Sequence, residues 1–382
     1  MKKNEFATFI VYLAMFGIAL AVGFAAIKPI ITDRMSSLPM HPALIMVLGL
    51  IVGVLINAIA LELCHVLGAK LGKYRVLKVT VLGASFTRIN GQRKFRLSGF
   101  DGLTGETKVV PEDVEKSSLN AYIFFPILFL FLEFIACMVG IVLCQNAEAS
   151  EPSVAWARIF LITILTVGGM IYFYDLFPAY LESTTDGFLL TLLNKPANKV
   201  AFNNLLLAQG AVLEGKPLPE TPVYTELTDF TASLNMISVY HHLSEGQADK
   251  ALEILEPMLS EEAHISVGSV NYARTLKLTI LLEAEDRTKG KKFYEELDDQ
   301  AKKYIADVTN LVALRAYLLI ATFIEDSESE ANYAIDKAEK AIKACNPDYK
   351  DVEKSLLQMD VDLAREIHPS WDVYKLPWEK EE

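Results

Sequence analysis

The chain has 382 residues, 52% of them hydrophobic, and carries a net charge of −12. A positive mean hydropathy of +0.28 beside that charge excludes one uniform soluble domain, so the apolar and the acidic residues must occupy different segments. Up to residue 194 there are 15 basic and 14 acidic residues, against 21 basic and 34 acidic ones afterwards, so the first half is nearly neutral and the tail strongly acidic.

In chain order, four apolar runs come first, residues 6–27, 42–67, 121–143 and 156–174. Each approaches or exceeds the roughly 20 residues that a helix needs to cross the hydrocarbon layer, which predicts four membrane spans. No small-residue cleavage site follows the first run, so it reads as an uncleaved anchor. Ten of the 15 basic residues of this half lie between Lys70 and Lys116, whereas the links around Asp33 and "QNAEASEPS" hold almost none. That asymmetry places the basic loop and both termini in the cytoplasm, in an integral protein of a bacterial plasma membrane. Cys64, Cys137, Cys144 and Cys345 lie mostly in spans and form no disulfide framework.

The second run holds "NAIALELCHVLGAK", in which Glu62 and His65 stand near its cytoplasmic end. Ionisable groups there are costly in lipid and must face the bundle interior or a wet cavity. Positions 61, 62 and 65 share a helical face, so Glu62 and His65 are either a satisfied polar pair or part of a metal-binding H-E-x-x-H helix. The loop that follows, "LKVTVLGASFTRINGQRKFRLSGF", alternates around Asn90-Gly91 and predicts a β-hairpin within a β-rich segment, residues 75–110. Glu133 in the third run is a further carboxylate that needs a buried partner. The fourth run leaves the membrane through "YDLFPAYLESTTDGFLLTLL", where Pro178 interrupts the helix and Asp186-Gly187 opens a new one. Asp175 and Asp186 therefore lie at the depth of Glu62 and His65, although an aspartate at a span exit also serves as a helix cap.

This order of features, over residues 42–193, resembles the site-2 protease family of intramembrane zinc metalloproteases. The resemblance implies a zinc ion held by the two histidines of H-E-x-x-H and by the aspartate of the later D-G motif, with the glutamate as general base. Carried over residue by residue, Glu62 is the catalytic base, and His65 and Asp186 are metal ligands. It also implies a membrane-embedded protein or peptide substrate, held as an extended strand beside the β segment. Three departures stand out: Leu61 replaces the first histidine, Asp175 replaces the usual asparagine, and the spacing from Pro178 to Asp186 is long. A catalytic zinc takes three protein ligands and an open position, and leucine has no lone pair to give. The expectation is therefore a pseudoprotease that binds a membrane or peptide partner, with no cofactor. The alternative is an active zinc metalloprotease in which Cys64, Glu182, Glu133 or Glu62 itself fills the gap; His41 belongs to the opposite membrane face.

After "NKPANK", a linker by composition, the tail is helical by period. Helix pairs are expected over 224–243 with 247–259, 267–282 with 290–305 and 311–324 with 329–345, then a last helix over 352–367. "ADKALEILEPML" resembles the second helix of a tetratricopeptide repeat. The fold expected is mainly α: a four-span membrane domain with a small cytoplasmic β-hairpin, residues 1–194, then a cytoplasmic α-helical repeat domain, residues 195–382. The acidic tail suits a protein partner and excludes nucleic acid. His241 and His242 fall at a helix end, where they cap.

Overall fold

A computed structural model describes residues 3–380 apart from 90, 98–104, 182–183, 217–221, 261–262, 264, 309 and 346–349. The chain divides into two compact units, Met1–Pro219 and Glu220–Glu382.

In the first unit, α1 (Lys3–Val22) runs through a π-helical turn into α2 (Lys28–Arg34), followed by α3 (Pro42–Leu71), α4 (Asn120–Ala147) and α5 (Ala155–Asp175). Among the described residues, four helical stretches are long and apolar enough to cross a membrane: Phe6–Ser37, Pro42–Leu71, Asn120–Ala147 and Pro152–Asp175. Helix α3 packs against both α4 and α5, which makes it the natural carrier of buried polar groups. Phe9, Phe16, Leu55, Phe131 and Leu143 point outward and exposed, as side chains facing hydrocarbon do.

The expected hairpin is the outer half of a larger sheet. Strands β1 (Tyr74–Val81), β2 (Ala84–Ile89), β3 (Gln92–Leu97) and β4 (Glu106–Pro111) pair antiparallel in the order β3-β2-β1-β4. Ile89 lies opposite Gln92, with Gly91 at φ +78°, so the connection falls where the sequence placed it; Asn90 lies outside the described residues. Strand β4 falls within the expected β-rich segment, although no separate strand is expected there. Its "ETKVVP" buries Thr107, Val109 and Val110, and too little alternation shows in six residues to mark a strand.

Helix α6 (Asp186–Leu192) and helix α7 (Pro196–Glu214) complete this unit. The division of the chain falls after α7 and not at residue 194, because α7 is tied to the sheet. The Tyr74 hydroxyl donates to Asn203 Oδ1 at 2.5 Å, and the Arg75 guanidinium grips Glu214 at 2.5 and 3.1 Å. Arg75 and Lys216 together pull the Glu214 carboxyl down to about 2.

The second unit is helical: α8 (Asp229–Ser244), α9 (Ala248–Leu255), α10 (Val267–Glu283), α11 (Thr288–Glu296), α12 (Asp299–Ala306), α13 (Leu311–Ile320), α14 (Glu328–Ala344) and α15 (Lys350–Ile367). The single helix expected over 290–305 is two, because the Asp298 side chain accepts from Ala301 N–H at 2.8 Å and caps a fresh helix. The expected pairs are otherwise present, α8 on α9, α10 on α11 and α12, and α13 on α14, and α10 packs on α13 as well, a contact outside the expected pairs. His241 and His242 do occupy the last turn of α8, and His242 Nδ1 meets Gln247 Oε1 at 3.0 Å.

Candidate metal centre

Helix α3 carries Glu62 and His65 inward, only 2% and 6% exposed, so each needs a partner within the protein. His65 Nε2 stands 3.1 Å from Asp186 Oδ2, and His65 Nδ1 faces Glu62 Oε2 at 3.6 Å. The Tyr122 ring from α4 lies flat on the imidazole, 4.2 Å between centroids and 5° between planes, and fixes its orientation. On the other side the Thr107 hydroxyl of β4 donates to Glu62 Oε2. The strand comes this close because Gly105 precedes it: a Cβ there would stand 2.5 Å from Glu62 Cγ and 2.2 Å from Thr80 O.

The exit of α5 supplies the rest. The helix ends at Asp175, and Thr185 starts α6 by accepting from Phe188 N–H at 3.2 Å. Its hydroxyl also donates to Phe177 O at 2.9 Å, which ties the start of α6 back to the end of α5. Gly187 makes that fold-back possible, since a Cβ on it would stand 2.1 Å from Leu176 O. The outcome is that Asp186 N–H donates to Asp175 Oδ1 at 3.4 Å, and both carboxylates meet His65.

His65, Asp175 and Asp186 each offer one ligand atom, and the three atoms lie within 4.8 Å of one another. Asp175 Oδ2 and His65 Nδ1 are buried without a hydrogen-bond partner among the described residues. One imidazole and two carboxylates, with a buried carboxylate oxygen left without a partner among the described residues, are a donor set that fits a divalent ion such as zinc. The cluster opens into a cavity of about 740 Å³, walled by β4 from Gly105 to Val109 and by Phe202, Leu206 and Gln209 of α7.

The expected residues thus divide. Glu62, His65 and Asp186 converge. Leu61 lines the same cavity but packs on Ile171 and Tyr172, as an apolar side chain should. Cys64 is buried and is not part of the cavity wall. Glu133 is spoken for by Asn57, whose Nδ2 donates to Glu133 Oε1 at 2.9 Å, about two helical turns before His65. His41 caps the far end of α3, accepting from Ala43 N–H at 3.2 Å. Glu182 lies outside the described residues. Asp175 as a ligand, Thr107 and Tyr122 were not foreseen; for Asp175 the signal was present, an acid exchanged for an amide three residues before Pro178. No protein-family model, curated protein or solved structure matches the chain.

Proposed function

We propose that the protein is a site-2-protease-like intramembrane metalloprotease whose zinc site is made by His65, Asp175 and Asp186, with Asp175 standing in for the histidine absent at position 61. The observation that carries this reading is the meeting of three ligand atoms, from His65, Asp175 and Asp186, within 4.8 Å, in a place where Asp175 also holds a buried oxygen without a hydrogen-bond partner among the described residues. Zinc, when bound, would polarise a peptide carbonyl and make water acidic enough to yield a nucleophile near neutral pH. Glu62 is the general base, its carboxylate oriented by the Thr107 hydroxyl beside the imidazole. Tyr122 keeps the imidazole plane from turning. Strand β4 is one edge of the sheet and forms a cavity wall, so an extended substrate segment adding to it would lie along the site. The basic loop faces the cytoplasm in this reading, and the tail, a tetratricopeptide-like array, holds a protein partner or a substrate tail.

The pseudoprotease reading rests on a different observation: His65 and Asp186 already satisfy each other at 3.1 Å. One experiment separates the two. The detergent-purified protein is assayed for zinc and for cleavage of a reporter transmembrane substrate, beside Glu62→Gln and His65→Ala. Metal at one per chain, retained in Glu62→Gln without cleavage and lost in His65→Ala, is the expected result. A native protein that neither holds zinc nor cleaves when zinc is supplied is a pseudoprotease.

A further inference from the structure

A second cavity, independent of the metal centre, lies where α3 leaves the membrane. Only Gly72 and Lys73 separate the end of α3 from the start of β1, so the sheet sits at the membrane face where this span ends. Between the last turns of α3 and the outer strands is a cavity of about 730 Å³, lined by Val66 and Lys70 of α3 and by Phe86, Arg88, Arg93 and Phe95 of the β2–β3 hairpin.

Two features of this face lack an explanation in the fold. Phe86 and Phe95 are cross-strand partners with ring centroids 4.9 Å apart, yet they are 56% and 59% exposed. Arg88 lies directly opposite Arg93 in the same ladder, and like charges so placed destabilise a strand pair. Neither arginine, nor Lys70, has a carboxylate partner among the described residues. Among the described residues the cavity's one carboxylate, Glu112, acts on Arg75, which Glu214 already holds. On the opposite face of the sheet, by contrast, Lys78 and Lys108 share Glu106. Two guanidinium groups and an ammonium without counter-charge, at the membrane face and beside an exposed aromatic pair, make a place for an anion that arrives with its own apolar body.

We propose that Lys70, Arg88 and Arg93, with Phe86 and Phe95, bind the headgroup of an anionic phospholipid in the leaflet where α3 ends. The phosphate neutralises the opposed arginines through charge-assisted hydrogen bonds, and the phenylalanine pair covers the glycerol and upper acyl region. The occupant is a lipid and not a free anion, because free phosphate would leave both rings in water.

The test uses the full-length protein in non-ionic detergent, with dioleoyl phosphatidylglycerol, dioleoyl phosphatidylcholine and inorganic phosphate as probes, and native mass spectrometry as the readout. Phosphatidylglycerol is expected to be retained about tenfold over phosphatidylcholine, the lower end of what three charges near a membrane surface can supply. Arg88→Gln with Arg93→Gln brings that ratio to within about twofold, while Arg96→Gln, on the opposite face of β3, leaves it in place. Without lipid, the double variant is expected to melt no lower than the native protein, since it removes a repulsion. Equal retention of the two lipids, a preference that survives the double variant, displacement of phosphatidylglycerol by millimolar phosphate, or a lowered melting temperature of the lipid-free double variant would each overturn the assignment.

Discussion

If Asp175 has taken over a ligand position, the loss should be reversible by moving the ligand back. Asp175→Asn removes one of three donors and restores the amide that the resemblance leads one to expect there. Partners that merely support a ligand are worth about 10–100-fold in metal affinity, so a ligand itself should cost at least about 100-fold, or about 2.7 kcal/mol. Leu61 is one helical turn before His65, 2% exposed and part of the cavity wall, so an imidazole there enters the same space at the spacing that H-E-x-x-H helices use. Leu61→His in the Asp175→Asn background is therefore expected to regain most of the lost affinity. The assay is zinc competition against a chromogenic chelator, with native, single-variant and double-variant proteins in one detergent. Asp175→Asn with unchanged affinity would refute the ligand role, and a double variant no better than Asp175→Asn alone would refute the shared-space argument.

Gly187→Ala is expected to lower both zinc content and melting temperature, because its Cβ meets Leu176 O at 2.1 Å and must push α6 from α5; equal metal in the variant would contradict this. Glu133→Gln should leave metal content unchanged, since the group it loses faces Asn57. In the second unit, Arg315 is fully buried among Asp360, Glu353 and Glu283, so Arg315→Met strands buried carboxylates at a cost of about 3–5 kcal/mol and should lower the Tm of the 220–382 segment by roughly 6–20 °C in a circular-dichroism melt. Burial raises the Glu353 and Asp360 carboxyls, so the stability tied to their protons is full below the ordinary carboxyl range of about 4 and falls as pH rises through the raised values. Glu353→Gln should therefore flatten the decline in Tm as pH rises above the ordinary carboxyl range, and an unchanged slope would show that this carboxyl does not carry the dependence.

The membrane helices were legible because their signal is composition over some 20 residues, which no local choice can mask. The convergence of Glu62, His65 and Asp186 was legible for another reason, since polar side chains at one depth of a bundle have few places to go but toward each other. Strand β4 was not, as six residues with a terminal proline carry too little period. The division of α11 from α12 turned on a single cap at Asp298, which competes with an otherwise continuous helical pattern. Nor was α7's place readable: it depends on Asn203 accepting from Tyr74 and donating to Val114 O and Ser117 O, contacts that span more than 80 positions.

Under the proposed metalloprotease reading, leucine at position 61 bears on which element the site depends on. With histidine there, two of three ligands would sit on one continuous helix, and their separation would be set by helical geometry alone. With His65, Asp175 and Asp186 as proposed, one donor comes from α3, one from the last residue of α5 and one from the first residue of α6, whose approach rests on Thr185 bonding Phe177 O and on Gly187 passing Leu176. In the proposed site, affinity then depends on how well those contacts hold the end of α5 to the start of α6. A change that loosens the α5–α6 turn would then weaken metal binding without touching a ligand.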